Sequence, residues 1–217
     1  MSPNLIDQHE KNLYWPDSVD MDSGHFVWIE ITSSDGKIYN GLLEDYQNKM
    51  ASIYVRDELS GDHVASYVLS FELTPPSDLG ARIPQVESAY VDPEYQGGGI
   101  SVATYKAIIE HYGAVISDTH QTEDGMLLWL FGIPKENSLE ITPLTVIGDR
   151  CEFRTDVAGQ KLVYQADIRA MLAVADTIWG NPDSVPLTDP AKLGFTPTWR
   201  NLSNQVLAAK KAENKHG

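Results

Sequence analysis

Three consecutive glycines stand in the stretch VDPEYQGGGIS, residues 91 to 101, where an extended segment gives way to a helical one. The first backbone N–H groups of a helix have no intrahelical acceptor and carry a partial positive charge. Glycine has no Cβ, so an anion can approach such groups closely. The pattern therefore predicts a phosphate site built from backbone N–H groups. The alternative is a tight turn that is glycine-rich for its own conformation.

The neighbouring segments would place this loop between two strands. Residues 83–91, IPQVESAYV, predict a strand that ends at the glycines. Residues 100–113 predict a helix, which Gly113 ends. Residues 114–117, AVIS, predict a short buried strand. A compact strand–helix–strand crossover of this kind is typical of a parallel pair of strands.

The loop in this context resembles motif A of the GNAT family of acyl-CoA-dependent N-acyltransferases. The family signature is Gln or Arg, two residues, Gly, one residue, then Gly or Ala, and here it falls on residues 96–101. Ser101 departs from it, although its small hydroxyl could cap the helix or reach a phosphate. The resemblance extends over residues 26–170 by order of elements and over 86–105 by motif. The stretch SDTHQTEDGMLLW is also loosely similar to small stand-alone members in phage genomes.

The resemblance implies acetyl-CoA as a co-substrate and a set of residues that would hold it. The strand residues Ala89, Tyr90 and Val91 would pair through their backbone with the pantetheine arm. Strand 114–117 would splay away to admit that arm. The pyrophosphate would lie against Gln96, Gly97, Gly98, Gly99, Ile100 and Ser101.

Transfer of an acetyl group to an amine requires a base for the amine, donors for the carbonyl oxygen and an acid for the departing thiolate. In similar enzymes the base is often a Glu on the strand before the glycines, which here implies Glu87. Strand alternation predicts that Glu87 shares a face with Ala89 and Val91. A solvated Glu at a strand end is the alternative.

The acid is less clearly implied. Many family members use a Tyr on the helix after the second strand, and the corresponding segment here, TEDGMLLWLFG, contains none. Ser117, Asp118 and His120 follow strand 114–117 and could face the thioester. His120 could serve as base or acid because imidazole titrates near neutral pH. Alternatively, Asp118 and Thr119 organise the turn and cap the next helix.

The predicted fold class is α/β, with a GNAT-like mixed, mostly antiparallel central sheet flanked by helices and a C-terminal extension. The acyltransferase domain would cover residues 1–180, with residues 1–23 as an irregular lead-in. Residues 181–217 would form the extension or tail, ending in a short helix over 201–212. Further predictions are a strand within 25–37 that closes on a Ser-Asp-Gly turn and a hairpin over 51–74. Helices are predicted over 39–50, 122–131 and 167–180, and strands over 139–147 and 161–166.

The composition of the chain indicates which partners and which compartment to expect. The 217 residues carry a formal net charge of −15 with a pI near 4.6, which argues against direct nucleic-acid binding and favours cationic partners. No run of about 18 apolar residues is present, so no membrane span is expected. The single cysteine, Cys151, fits a reducing compartment and a buried strand position. The start of the chain lacks signal-peptide character. These features predict a cytoplasmic protein, in the host cytoplasm if it is phage-encoded.

The most favoured function is transfer of an acetyl group from acetyl-CoA to an amine by direct attack in a ternary complex. The acceptor would be a small cationic molecule or a protein lysine. No metal site is expected, because the six histidines show no ligand spacing. One alternative is a catalytically degenerate binding or structural module. Another is an acidic inhibitor of a nucleic-acid-binding protein, with a basic protein as partner. The sequence also leaves open whether the protein forms a homodimer.

Overall fold

Runs of β-branched and aromatic residues build one large sheet in the computed structural model, which describes residues 13, 15–119, 124–125, 128–163 and 204–212. Nine strands and one helix have defined bounds over these ranges. In chain order they are β1 (Phe26–Thr32), β2 (Ile38–Asp45), β3 (Met50–Asp57), β4 (His63–Ser70), β5 (Gln85–Val91), α1 (Ile100–Tyr112), β6 (Ala114–Ile116), β7 (Leu139–Ile147), β8 (Arg150–Phe153) and β9 (Gln205–Lys211).

The strands lie in the order β1-β2-β3-β4-β5-β6-β9-β7-β8. Neighbours are antiparallel except for β5 and β6, the parallel pair that the crossover predicts. The expectation of a mixed, mostly antiparallel sheet is therefore confirmed. Helices beside the sheet are sparser than expected, since α1 is the one α-helix with both ends in the described ranges. Among those residues no helix is long and apolar enough to cross a membrane.

The sheet buries apolar side chains on both faces. Helix α1 covers one face, where Ile108 and Ile109 pack with Ile53 and Leu69 in the main core. On the other face, Trp15 of the N-terminal lead-in packs over a cluster formed by Phe26, Leu42 and Tyr54. The connection from β4 to β5 covers the far end of this second face. Its residues Leu79 and Ile83 pack there with Ile116, Leu144 and Ala208.

The helix predicted over 39–50 is wrong, because this segment contains strand β2. Leu42 and Leu43 are adjacent, and both are almost fully buried, one in the cluster under Trp15 and the other in the core under α1. A strand covered on both faces buries consecutive residues, which resembles the apolar face of a helix. Gly41 fits the close packing of β2 on β1, since a Cβ there would lie 2.5 Å from Ile29 Cγ1.

The helix predicted over 201–212 is also wrong. Residues 205–211 form β9, which lies between β6 and β7 in the sheet. Four consecutive residues, Val206 to Ala209, have no exposed surface, so the alanines serve close packing on both faces. The predicted boundary at residue 180 falls outside the described residues, as does the helix predicted over 167–180. The segment 128–135 is helical, with a π-helical turn at Leu128–Gly132 followed by a 3-10 turn at Ile133–Lys135.

Most other local predictions are confirmed. Strands β1, β5 and β7 and helix α1 lie where the sequence places them, and β3 and β4 form the predicted hairpin. Cys151 lies in β8 with 5% of its surface exposed. Burial raises the pKa of the Cys151 thiol to about 11, so the thiol is protonated at neutral pH.

An ion pair between the buried Asp45 and the partly exposed Arg82 ties three parts of the fold together. Asp45, at the end of β2, accepts two hydrogen bonds from the Arg82 guanidinium at 2.6 and 2.8 Å. The Tyr112 hydroxyl of α1 donates to the same carboxylate at 2.7 Å. Burial raises the pKa of Asp45, but the hydrogen bonds from Arg82, Tyr112 and the Gln47 amide outweigh it, so the pKa lies below its usual range. The Arg82 guanidinium also lies 3.5 Å from the centre of the Phe71 ring.

We predict that Asp45→Asn lowers the free energy of unfolding by about 3 kcal/mol at pH 7, since it leaves the Arg82 charge unpaired. Because the folded pKa of Asp45 is depressed, its contribution is present above the unfolded value near 4 and is lost as the pH falls through the folded value. Urea unfolding of both proteins between pH 3 and 7 would therefore show a difference that narrows in acid.

The matched control is Lys49→Met, which removes an ion pair to Glu72 whose side chains are 77% and 63% exposed. We expect a change within about 0.5 kcal/mol for this variant. An equal loss in the two variants would contradict the role assigned to Asp45.

Candidate functional site

Strands β5 and β6 separate after a single pair of residues. Gln85 is in register with Ile116, and the Ile116 N–H donates to the Pro84 carbonyl at 2.8 Å. The Gln85 side chain donates to the Ser117 carbonyl at 3.2 Å, which closes the join. From Val86 to Val91 no described strand pairs with β5 on this side. The predicted splaying of these strands is therefore present in the structure.

The opening exposes the strand residues predicted to face a cofactor. Ala89 is in register with Tyr67 of β4, whose side chain is 1% exposed under α1. Ala89 itself is exposed, because no described strand lies beside it. Val91 packs against the main core, whereas Tyr90 is in register with Ser66 on the opposite face. The Asp92 N–H donates to the Val64 carbonyl at 2.8 Å, so by alternation the backbone groups of Tyr90 face β4, and those of Ala89 and Val91 face the opening.

Glu87 occupies an irregular position in β5. The register with β4 passes from Ser88 opposite Val68 to Val86 opposite Leu69, so Glu87 is an extra residue without a partner. This β-bulge interrupts the alternation from which the face of Glu87 is predicted, so a face shared with Ala89 and Val91 stays a prediction. The Glu87 side chain is exposed. Bulges re-aim side chains, and this one stands just beyond the last residue joined to β6.

Asp118 lies just after β6, the strand that meets β5 at the join. It follows Ile116 by two residues, as Glu87 follows Gln85, and the two strands run in the same direction. The Asp118 side chain is half-buried and accepts a hydrogen bond from the Thr119 hydroxyl at 3.4 Å, as the turn-organising alternative expects. His120 lies outside the described residues. No group of three His, Cys, Asp or Glu suited to a metal ion occurs in the described ranges.

The glycine loop joins β5 to α1 as predicted. Asp92 caps a 3-10 turn at Pro93–Tyr95, and α1 begins at Ile100. Gly97 and Gly99 have φ angles of +85° and +82°, which side-chain-bearing residues rarely adopt. These two glycines are therefore required by the turn itself. Gly98 has no such constraint, so its lack of a side chain needs another reason.

The backbone of the loop offers a row of free donors. The first helical bond here runs from the Ala103 N–H to the Gly99 carbonyl at 3.0 Å. The six N–H groups before it donate to no protein acceptor among the described residues. They belong to Gly97, Gly98, Gly99, Ile100, Ser101 and Val102. An anion that approaches the start of α1 would find these groups unpaired.

The β1–β2 turn packs against one side of the loop, which the sequence did not reveal. The Ser34 hydroxyl donates to the Gly98 carbonyl at 3.3 Å. A Cβ on Gly99 would lie 2.6 Å from Ser34 Oγ, so Gly99 is needed for this packing. A Cβ on Gly98 would meet Asp35 Oδ2 at 3.7 Å, and one on Gly97 would meet nothing within 4 Å. The bend is therefore filled beside Gly99 and open beside Gly97.

The charge next to the loop is negative. A hydrogen bond from the Ser33 hydroxyl lowers the pKa of Asp35, helped by the Lys37 amide, so this carboxylate is ionised at neutral pH. The ammonium group of Lys37 pairs with Asp57 and lies 4.9 Å from the centre of the Tyr95 ring. Asp35 opposes the approach of a phosphate, and Lys37 is a nearby cation that already has a partner.

Three of the predicted loop side chains contact the protein. Gln96 donates from its side-chain amide to the Val91 carbonyl at 3.1 Å. The Ile100 side chain is 2% exposed and belongs to the core. The Tyr67 hydroxyl donates to Ser101 Oγ at 3.4 Å, which joins the start of α1 to β4. Ile100 and Ser101 could therefore serve an anion through their N–H groups.

No family model and no curated protein matches this chain. A solved structure with some similarity is a point mutant of a cAMP-binding acyltransferase from Mycobacterium smegmatis. The likeness covers 55% of this chain and 46% of that protein, at 11% sequence identity and a TM-score of 0.31. The chain thus matches less than half the length of that protein. A likeness this distant identifies neither the fold nor the activity of the present chain.

The contacts of the glycines predict different costs for two substitutions. Gly99→Ala forces a Cβ against Ser34 in a left-handed backbone, so we expect a loss of about 2 kcal/mol in the free energy of unfolding. Gly98→Ala meets nothing closer than 3.7 Å, so we expect a change within about 0.5 kcal/mol. Thermal and urea unfolding of both variants would measure the difference. Equal stability of the two variants would show that Ser34 does not pack on Gly99 in solution.

Proposed function

We propose that this protein is a GNAT-type acyltransferase that moves an acetyl group from acetyl-CoA to an amine. The observation that carries the proposal is the continuity of two open backbone surfaces. The unpaired side of β5 runs from the join at Gln85 to Val91, and the chain then passes through the glycine loop to the free N–H groups of α1. An elongated ligand with an extended polar arm and an anionic end would contact both surfaces.

Binding would depend on the backbone rather than on cationic side chains. The amide groups of a pantetheine arm could exchange hydrogen bonds with β5 between Glu87 and Val91, as another strand would. The diphosphate would accept from N–H groups of Gly97, Gly98 and Ser101. This mode accounts for anion binding by a chain with a net charge of −15. The Asp35 carboxylate would reduce the affinity without blocking the open side of the loop.

The transfer step is proposed to use Glu87, near the closed end of the opening, together with Asp118 or His120, of which His120 lies outside the described residues. Glu87 would accept a proton from the ammonium form of the acceptor, which frees the nitrogen lone pair. That nitrogen would attack the thioester carbonyl carbon, and the carbon–sulfur bond would break as the C–N bond forms. The second proton on nitrogen would pass to the thiolate through His120 or Asp118. We propose His120 as the donor, because imidazole has the closest ordinary pKa to neutrality.

The acceptor is proposed to be cationic. A protein with 31 acidic and 16 basic residues attracts positively charged molecules and repels anions at long range. Primary amines are protonated at neutral pH, so polyamine-like molecules and protein lysines fit this field. The acid-rich surface would attract a positively charged acceptor as it approaches. The Glu87 carboxylate would then stabilise the same positive charge on the reacting nitrogen.

The first prediction of this assignment concerns binding. We expect calorimetry to show saturable binding of CoA, since its diphosphate meets unpaired N–H groups at the start of α1. Gly98→Ala should weaken this binding about tenfold or more, because the added methyl group restricts access of the diphosphate to the loop N–H groups while the fold is unchanged. Gly148→Ala, in the remote β7–β8 turn, strains a left-handed glycine with a φ of +66° and so controls for a loss of stability outside the loop. Undiminished CoA binding by Gly98→Ala would contradict the placement of the diphosphate.

The second prediction concerns chemistry. We expect Glu87→Gln to lower kcat for thiol release from acetyl-CoA by about a hundredfold, as the loss of a general base does. CoA affinity should stay within about twofold, because the β5 backbone is retained. Rates would be measured with a panel of polyamines and lysine peptides. Glu94→Gln, on the 3-10 turn before the glycines, is the matched control.

Three outcomes separate the proposed function from its alternatives. Turnover that depends on Glu87 supports the acyltransferase. CoA binding without turnover of any amine would identify a binding module that has lost its chemistry. Neither binding nor turnover, together with tight and salt-sensitive capture of a basic protein, would favour the acidic inhibitor instead.

A further inference from the structure

Strand β1 is one of the two outer strands of the described sheet, and its free edge faces away from β2. Two hydrogen bonds at the ends of the β1–β2 pair show which backbone groups of β1 point toward β2. The Asp45 N–H donates to the His25 carbonyl at 2.8 Å, and the Ser33 N–H donates to the Lys37 carbonyl at 3.0 Å. Inward and outward residues alternate along an antiparallel strand. The N–H and C=O groups of the even-numbered residues therefore point outward. These residues are Phe26, Trp28, Glu30 and Thr32.

Within the ranges that the structure describes, no strand pairs with this edge. The edge is seven residues long and carries a single charge, Glu30. Natural sheets usually protect such an edge with lysines, prolines or bulges. In β1 none of these three devices is present, and its register with β2 is uninterrupted.

The side chains of β1 are exposed where another strand would cover them. Val27 and Trp28 are 38% and 45% exposed, on opposite faces of the strand. Their register partners on β2, Leu43 and Leu42, are 1% and 0% exposed. The β1 pair is thus open because the sheet ends beside it. A strand added outside β1 would bury both side chains.

Trp28 is already held in place on one side. Its ring stacks on Trp15 at a centroid distance of 5.8 Å, and the Arg56 guanidinium lies 5.5 Å from its centre. A large aromatic side chain that is fixed before binding loses little conformational freedom on contact. Trp28 can therefore act as a rigid apolar anchor for a partner.

The charge around this edge selects the kind of partner. Residues 12–36 contain five acidic residues and no Lys or Arg. Asp17, Asp20 and Asp22 are exposed before β1, and Glu30 is exposed within it. Arg56 lies on β3 in the same cross-strand row as Glu30, with Asn40 of β2 between them. Its guanidinium lies over the rings of Trp15 and Trp28. A basic segment is attracted to this edge, whereas a second copy of this acidic chain is repelled.

We propose that the free edge of β1 binds an extended, lysine- or arginine-rich segment of a partner protein by strand addition. The backbone of the segment pairs with the outward groups of Trp28 and Glu30, and its apolar residues cover Val27 and Trp28. Its basic residues lie beside Glu30 and the aspartates that precede β1. This edge is separated from the opening between β5 and β6 by three intervening strands, so the interaction does not depend on the proposed transferase activity.

The test uses a fluorescein-labelled octapeptide of alternating Lys and Val, titrated with the full chain. Two control peptides separate strand addition from general attraction. One has the same charge but carries N-methyl groups on alternate backbone amides, and the other has Glu in place of Lys. We expect saturable binding of the first peptide. Both controls should bind at least about tenfold more weakly, because one cannot pair along the edge and the other meets like charges.

Two variants of one residue test the edge from the side of the protein. Glu30→Pro removes an outward N–H that makes no bond to β2, and proline is tolerated on edge strands in this orientation. Glu30→Thr removes the same charge but keeps the N–H. We expect Glu30→Pro to weaken peptide binding about tenfold beyond the effect of Glu30→Thr. Circular dichroism and thermal unfolding would verify that both variants are folded, and the N-methylated peptide tests the same contact without changing the protein.

Three results would overturn the proposal. These are equal binding of the N-methylated and unmodified peptides, equal binding by the two Glu30 variants, and absence of binding to the wild-type chain. Sedimentation of the wild-type chain as a dimer that Glu30→Pro dissociates would also overturn it, since the edge would then bind a second copy.

Discussion

One join in the sheet decides what the rest of the molecule can present. The two parallel strands meet at Gln85 and Ile116. The Gln85 side-chain amide donates to the Ser117 carbonyl, and the Pro84 carbonyl accepts from the Ile116 N–H. Ser117 extends the join to β9, because its N–H donates to the Leu207 carbonyl and its hydroxyl accepts from the Leu207 N–H. Beyond this point β5 pairs with β4 alone among the described strands. These few hydrogen bonds therefore fix the closed end of the opening.

The three glycines at the other end of β5 have different physical reasons. Gly99 is required by its φ angle and by Ser34, and Gly97 is required by its φ angle in open space. Gly98 has neither constraint, so close approach to its backbone is the best physical reason for it. The position of Asp35 beside Gly98 limits this explanation, since a carboxylate lowers the affinity for any anion. If the proposed diphosphate binds here, Asp35 would make its binding weak and reversible.

Local signals in the sequence predicted most of the elements, including β7, which is buried on both faces, and failed for β2 and β9. The strand at 26–32, the helix after the glycines and the strand at 139–147 follow from alternation, caps and stops. β2 and β9 bury consecutive residues on two faces, so Leu42–Leu43 and Val206–Ala209 resembled helical segments. The bulge at Glu87 leaves no mark in the alternation. The contact of Ser34 with Gly98 joins residues 64 positions apart, which no local pattern contains.

Unpaired backbone on β5 beyond Gln85 and along the outer edge of β1 forms the two candidate binding surfaces of the described sheet. The surroundings make the two places suitable for opposite charges. At the glycine loop the N–H groups of a helix start supply a positive potential that the acidic composition does not provide. At β1 the aspartates before the strand and Glu30 supply a negative one. In the two proposals, a chain with a net charge of −15 would bind an anion where side chains are absent, and a basic segment where acidic side chains flank an open strand. The positions of the glycines and of the acidic residues therefore indicate which ligand charge each surface would bind, which the net charge alone does not.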